Sequence, residues 1–256
     1  MPRLYRLLHN YRAFFAVPEG DVFRLLTGDA LTGAAERAPE TVPVASAVLL
    51  PPVNPSKIIA VGLNYRDHAP ELQLPVPEEP VIFLKPLTAL SAPGAPIELP
   101  AASRQVDFEG ELAVVIKKSG RHIPKALASE WIYGYTLAND VTARDLQKRD
   151  GQWTRAKGFD GFCPLGPCVV TEVEANALEF RTRVNGEVRQ TGRIADLIFP
   201  IPYLVSFLSS VMTLLPGDVI LTGTPAGVGP LQPGDRVRVE CDAIGVLENP
   251  VVAAGR

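Results

Sequence analysis

Cysteine is scarce in this chain: Cys163, Cys168 and Cys241 are an odd set of three among 256 residues, with no C-x-x-C pair. That speaks against a disulfide framework and predicts reduced, buried thiols in a cytoplasmic protein. Basic blocks are missing too, and the net charge is −3, which excludes nucleic acid as the expected partner. No uninterrupted apolar stretch precedes a small-residue cleavage site near the N-terminus, so no signal peptide is expected. The uncharged stretch 197–215 is broken by Pro200, Pro202, Ser206, Ser209 and Ser210. It falls short of the roughly 20 apolar residues a membrane span needs and is expected as a buried helix, with no membrane association. No G-x-S-x-G elbow occurs, which argues against a metal-free serine hydrolase, and no glycine run ends in Lys-Ser or Lys-Thr, so nucleotide binding is not indicated.

What is present is an ordinary globular balance, 46% hydrophobic and 21% charged, with 25 prolines spread along the chain. That is roughly twice the usual 5% proline share and predicts many short strands joined by stiff connections. Residues 1–50 read as a small N-terminal β domain, a meander with turns at Pro18-Glu19-Gly20 and Gly28-Asp29, suited to support or dimerisation. A proline-rich joint leads to the main domain, residues 51–256. There, strands are predicted at 57–62, 81–85, 132–140, from Val169 onward, and at 236–241 as the last. A hairpin is predicted over 180–190 on its Asn185-Gly186 turn, and a helix over 201–212.

The chemistry gathers around Val106-Asp107-Phe108-Glu109-Gly110-Glu111-Leu112. In an extended strand Glu109 and Glu111 share a face, and the apolar Ala113-Val114-Val115-Ile116 carries that strand into the core. Two such carboxylates need a cation or a proton. Asp140, at the end of its own predicted strand, is placed to join them. Three oxygen donors suit a hard divalent cation, Mg²⁺ or Mn²⁺ before Zn²⁺, and leave about three of six Mg²⁺ positions open. His68 and Glu71 stand three apart, so one helical turn sets a carboxylate beside an imidazole, as expected of a general base. The run Thr222-Gly223-Thr224 closes a strand with hydroxyls and exposed N–H groups able to hold an anion.

In this order and spacing the motifs resemble the fumarylacetoacetate hydrolase family over residues 55–253. The likeness rests on Gly62-Leu63-Asn64-Tyr65 with His68 and Glu71, on the acidic strand, and on Asn139-Asp140-Val141-Thr142-Ala143-Arg144-Asp145. It continues through Lys157-Gly158-Phe159-Asp160 and Pro216-Gly217-Asp218-Val219-Ile220 into Thr222-Gly223-Thr224-Pro225. The resemblance implies a mixed β-rich α+β fold, a rolled β-sandwich core with a small N-terminal domain, in a homodimer. It implies a divalent metal on Glu109, Glu111 and Asp140, with Lys157, Arg144 and Thr224 contacting substrate and His68 with Glu71 as a catalytic dyad on a mobile lid. Pro70 restricts Ala69 within that lid motif. The motifs occur once, so this is not the tandem-duplicated form.

The expected substrate is a small 2-oxo acid whose carboxylate and 2-oxo oxygen chelate the cation, which offsets enolate charge while Lys157 adds a second positive charge. The expected reaction is isomerisation of the 2-hydroxyhepta-2,4-diene-1,7-dioate type in aromatic catabolism. Acylpyruvate hydrolysis and oxaloacetate decarboxylation are the alternatives on the same site. A non-catalytic protein with a structural Ca²⁺ is the reading of a different class, and it predicts indifference to His68→Ala.

Overall fold

The computed structural model describes residues 2–67, 71 and 75–255. The chain adopts the expected β-rich α+β class, with three sheets and few helices among the described residues. The N-terminal meander is formed by Arg3–His9, Arg12–Glu19, Val22–Thr27 and Glu36–Pro43, each antiparallel to the next, around Leu7, Ala16, Phe23, Leu25 and Val42. It has its own small core, yet its first strand also pairs with Cys163–Val170, Arg3 opposite Val170 and Leu4 opposite Val169. The meander and the main domain therefore share one twelve-stranded sheet.

From Cys163–Val170 that sheet continues through Ile132–Asn139, Gly110–Ile116, Val219–Leu221 and Ile58–Gly62 to Val81–Lys85. Its middle strands are covered on both faces. One face packs Ile59, Leu112, Val114, Ile116 and Leu137 under Leu204, Val205 and Leu208 of the helix Ile201–Val211. The other packs Ile58, Ala60, Ala113, Val115 and Ala138 together. A strand buried on both sides has no use for alternation, which explains the unbroken apolar run 113–116.

A five-stranded sheet rolls over the first, in the order Glu187–Arg193, Glu179–Val184, Arg236–Cys241, Gly245–Ala253, Ile97–Leu99. Its Phe180, Val239 and Leu247 join the same core as the helix. The predicted hairpin is its outer pair, with Asn185 at φ +53° and Gly186 at +87° in the turn. A three-stranded sheet of Thr142–Ala143, Val106–Phe108 and Gly229–Pro230 lies at the site.

Three expectations need correction. The acidic stretch is two strands, Val106–Phe108 and Gly110–Ile116, in different sheets, because Glu109 leaves the ladder: its N–H donates to Asn139 Oδ1 (2.9 Å) and its carbonyl accepts from Asp140 N (2.8 Å). Val169 and Val170 end a strand instead of starting one. Cys163–Val170 holds Pro164 and Pro167: the register against Ile132–Asn139 jumps where Pro167 falls, and Pro164 lies outside that ladder, opposite Ser91 of the two-residue strand Leu90–Ser91. Arg236–Cys241 is followed by Gly245–Ala253, paired with it from Cys241–Gly245 to Arg236–Pro250. The short turn between them lacks a Pro-Gly signal.

Candidate active site

The break at Glu109 makes the site. Backbone bonds tie Glu109 to the Asn139-Asp140 corner, so Asp140 meets Glu109 and Glu111, and one carboxylate oxygen from each of the three lies within 4.8 Å of the others. All three residues are buried. Gly110 stands where nothing larger fits, since a Cβ there would lie 1.9 Å from Thr182 Oγ1.

Cations surround this cluster. Lys157 Nζ, from the short helix Thr154–Lys157, donates to Glu109 Oε2 (2.7 Å) and Asp140 Oδ2 (2.6 Å). Lys85, at the end of the edge strand Val81–Lys85, donates to the other Asp140 oxygen at 2.6 Å. Arg144 opens the helix Arg144–Asp150; its Nε donates to Asp107 Oδ2 (2.8 Å), its Nη2 to Glu109 Oε1, and its Nη1 to Gln147 Oε1 (2.7 Å). Burial works against the charge of both Lys157 and Arg144. The carboxylates beside them outweigh it and hold both above their ordinary values, Asp140 and Glu109 for Lys157, Glu109 and Asp107 for Arg144.

Glu111 is the exception. Its Oε2 accepts from the Gly223 N–H at 2.7 Å. Burial, with Asp140 and Glu109 as like charges, pushes its carboxyl well above the ordinary range despite Lys157 and that amide. A cation between the three would relieve this repulsion. The donor set is oxygen only, which fits a hard divalent ion, and Glu109, Glu111 and Asp140 are the residues that would hold it.

The cluster opens into a cavity of about 260 Å³ lined by Val61, Gly62 and Leu63. Arg144, Gln147, Lys148, Trp153, Lys157 and Thr224 line it as well. The Trp153 ring packs edge-on against Phe83 and so close to Gly62 that a Cβ there would lie 2.7 Å from it. Thr224 Oγ1 donates to Gly110 O (2.8 Å) and accepts from Gln190 Nε2 (2.7 Å). Gln190 also donates to Pro225 O and accepts from Gly110 N, so a residue of the outer hairpin ties both loops of the site together.

Seven of the nine residues singled out in the sequence thus come together: Glu109, Glu111, Asp140, Arg144, Lys157, Gly223 and Thr224. Glu71 is exposed, its Oε1 accepting from the Gly227 N–H at 2.9 Å. His68 lies outside the described residues. Lys85, Asp107, Gln147, Lys148, Trp153 and Gln190 were assigned no role in the sequence. A lysine closing a strand and a glutamine in a hairpin arm carry no local signal.

The site thus joins a rolled β fold to a buried carboxylate triad that is ringed by lysine and arginine and opens into a cavity. The chain belongs to the fumarylacetoacetate hydrolase family: the profile for "Fumarylacetoacetate (FAA) hydrolase C-terminal" matches residues 57–252. It is 46% identical over 217 residues to an oxaloacetate tautomerase (fahd2, mitochondrial) of Xenopus laevis, covering 80% of this chain and 68% of that protein. The crystal structure of 2-hydroxyhepta-2,4-diene-1,7-dioate isomerase from Mycobacterium marinum matches with a TM-score of 0.92 and 46% identity over the whole of both chains. Maleylpyruvate hydrolase from Sphingobium sp. SYK-6, solved with manganese(II) and pyruvate, matches with a TM-score of 0.82 and 33% identity, over 99% of this chain and all of that one.

Proposed function

We propose that this chain is a divalent-metal-dependent enzyme that moves a proton along a 2-oxo or 2-hydroxy-diene dicarboxylate, in the manner of 2-hydroxyhepta-2,4-diene-1,7-dioate isomerisation. The observation that carries the reading is the carboxylate triad facing a cavity also lined by the cations Arg144, Lys148 and Lys157. Mg²⁺ or Mn²⁺ on Glu109, Glu111 and Asp140 would supply Lewis-acid stabilisation of negative charge growing on the 2-oxo oxygen. Lys157, kept protonated by its two carboxylates, is a fixed positive charge beside that oxygen and not a base. Thr224, locked between Gly110 and Gln190, and Arg144, locked on Asp107 and Glu109, position the acid end without reorganising during the reaction. Trp153, Val61 and Leu63 give the carbon chain an apolar wall. His68 with Glu71 is the group proposed to carry the proton.

The similarity to an oxaloacetate tautomerase supports a proton shift over cleavage of a carbon–carbon bond, since interconverting a ketone and its enol is the shortest version of the same reaction. Acylpyruvate hydrolysis is the second reading, supported by the likeness to maleylpyruvate hydrolase, and it needs water activated by His68 and Glu71. We propose further that the protein is a homodimer of the cytoplasm, which sedimentation and fractionation test. The deciding experiment is turnover of a 2-hydroxy-diene dioate, of enol-oxaloacetate and of acetylpyruvate with Mg²⁺, with Mn²⁺ and after EDTA. Metal-dependent isomerisation without cleavage is expected. Cleavage of acetylpyruvate as the fastest reaction would replace the first reading by the second.

A further inference from the structure

Arg144, Gln147 and Lys148 stand at i, i+3 and i+4 on the helix Arg144–Asp150, and all three line the cavity. They differ in what they are already doing. Arg144 is buried and bonded to two carboxylates and to Gln147. Lys157 is bonded to two carboxylates as well. Lys148 is exposed at the mouth, and among the described residues no carboxylate pairs with it. Every other cation among the described residues lining the cavity is therefore neutralised by the protein's own acids, and Lys148 has its charge available for a ligand.

Its position is informative too. Four residues of helix carry it about 6 Å along the axis from Arg144, away from the triad and toward solvent. A group bound there would sit at the far end of a carbon chain whose 2-oxo end lies at Glu109, Glu111 and Asp140. Trp153 and Leu63 form apolar wall in the same cavity. An ammonium on a flexible stem suits a terminal carboxylate carried on chains of differing length.

We infer that Lys148 is the specificity-determining residue that selects dicarboxylates over monocarboxylates by pairing with the distal carboxylate of the substrate. The inference rests on the function proposed above and adds which end of the acid is read, and by what.

The test compares two acids that differ only in that group, 2-oxoheptanedioate and 2-oxoheptanoate. Their binding in the presence of Mn²⁺ is measured by calorimetry on the wild-type protein and on Lys148→Ala, Lys148→Arg and Lys148→Glu. The wild type is expected to prefer the dioate by about fivefold, what an exposed charge pair contributes. Lys148→Ala should erase that preference while leaving the affinity for 2-oxoheptanoate within about twofold, Lys148→Arg should keep the preference, and Lys148→Glu should invert it. A preference that survives in Lys148→Ala, or an equal loss for both acids, overturns the assignment of Lys148 while the function stands. Binding of neither acid by the wild type overturns the proposed function, and this inference with it.

Discussion

Gly223 donates its backbone N–H to Oε2 of Glu111 at 2.7 Å, joining two residues 112 positions apart. Gly223 reaches that carboxylate with φ at +102°, and a Cβ there would lie 2.7 Å from Asn64 Cβ and 3.3 Å from Val61 O. Gly223→Ala therefore meets both backbone strain and a rigid neighbour. It is expected to lower stability by about 2–4 kcal/mol in urea unfolding and to weaken Mn²⁺ binding by calorimetry.

Glu111 is expected to make the metal-free protein pH-sensitive. Its carboxyl is raised above the ordinary 4.5 by burial and by Asp140 and Glu109, so the folded state holds a proton that the unfolded chain has released. Stability from this group is full below that ordinary value and is lost as pH rises through the raised one. In EDTA, the wild type is expected to lose stability between pH 5 and pH 7.5 more steeply than Glu111→Gln, which keeps an acceptor for Gly223 but carries no charge. Urea unfolding at the two pH values checks this, and equal slopes would refute it.

Lys85 and Asp140 form a buried ion pair at 2.6 Å, with both side chains almost fully enclosed. Lys85→Met leaves Asp140 with Lys157 alone and is expected to cost about 3–5 kcal/mol in metal-free buffer. The deficit should shrink on adding Mg²⁺, because an ion on the triad replaces the missing positive charge. Thermal unfolding with and without Mg²⁺ reads both effects.

Gln190 makes three buried hydrogen bonds, to Gly110 N, Thr224 Oγ1 and Pro225 O. Gln190→Leu strands these groups and is expected to cost roughly 2–3 kcal/mol and to lower kcat/KM by releasing Thr224. Gln190→Glu keeps the acceptor for Gly110 N and loses the donors, so its activity should fall further than its stability. Steady-state kinetics beside urea unfolding separate the two.

Much of this architecture was legible, and the exceptions have physical causes. The spacing of Glu109 and Glu111 and the strand-end position of Asp140 are local features, and the three do meet. The hairpin at Asn185-Gly186 and the helix after Pro200 follow from turn chemistry and apolar content in the same way. The break at Glu109 was not legible, because it depends on Asn139, 30 residues away, offering its side chain to the Glu109 N–H. Lys85 reads as a solvated strand end until Asp140 is placed against it. Gln190 faces the site only because Arg181–Val184 pairs with Val237–Glu240, a register that no local signal sets. Cys163–Val170 was hidden by its two prolines, since its pairing is shared among three partner strands, with Pro164 opposite Ser91 in a two-residue parallel pairing and Pro167 where the register against Ile132–Asn139 jumps.

One measurement bears most directly on the claim that a divalent metal and a 2-oxo acid share this cavity. Mn²⁺ would be titrated into the metal-free protein and followed by electron paramagnetic resonance, first alone and then with oxalate, a chelating mimic of the enolate. The account predicts one saturable Mn²⁺ per chain whose spectrum changes when oxalate is added, and the loss of that site in Glu109→Gln, Glu111→Gln and Asp140→Asn. No saturable binding, or bound Mn²⁺ whose spectrum is indifferent to oxalate, would contradict it.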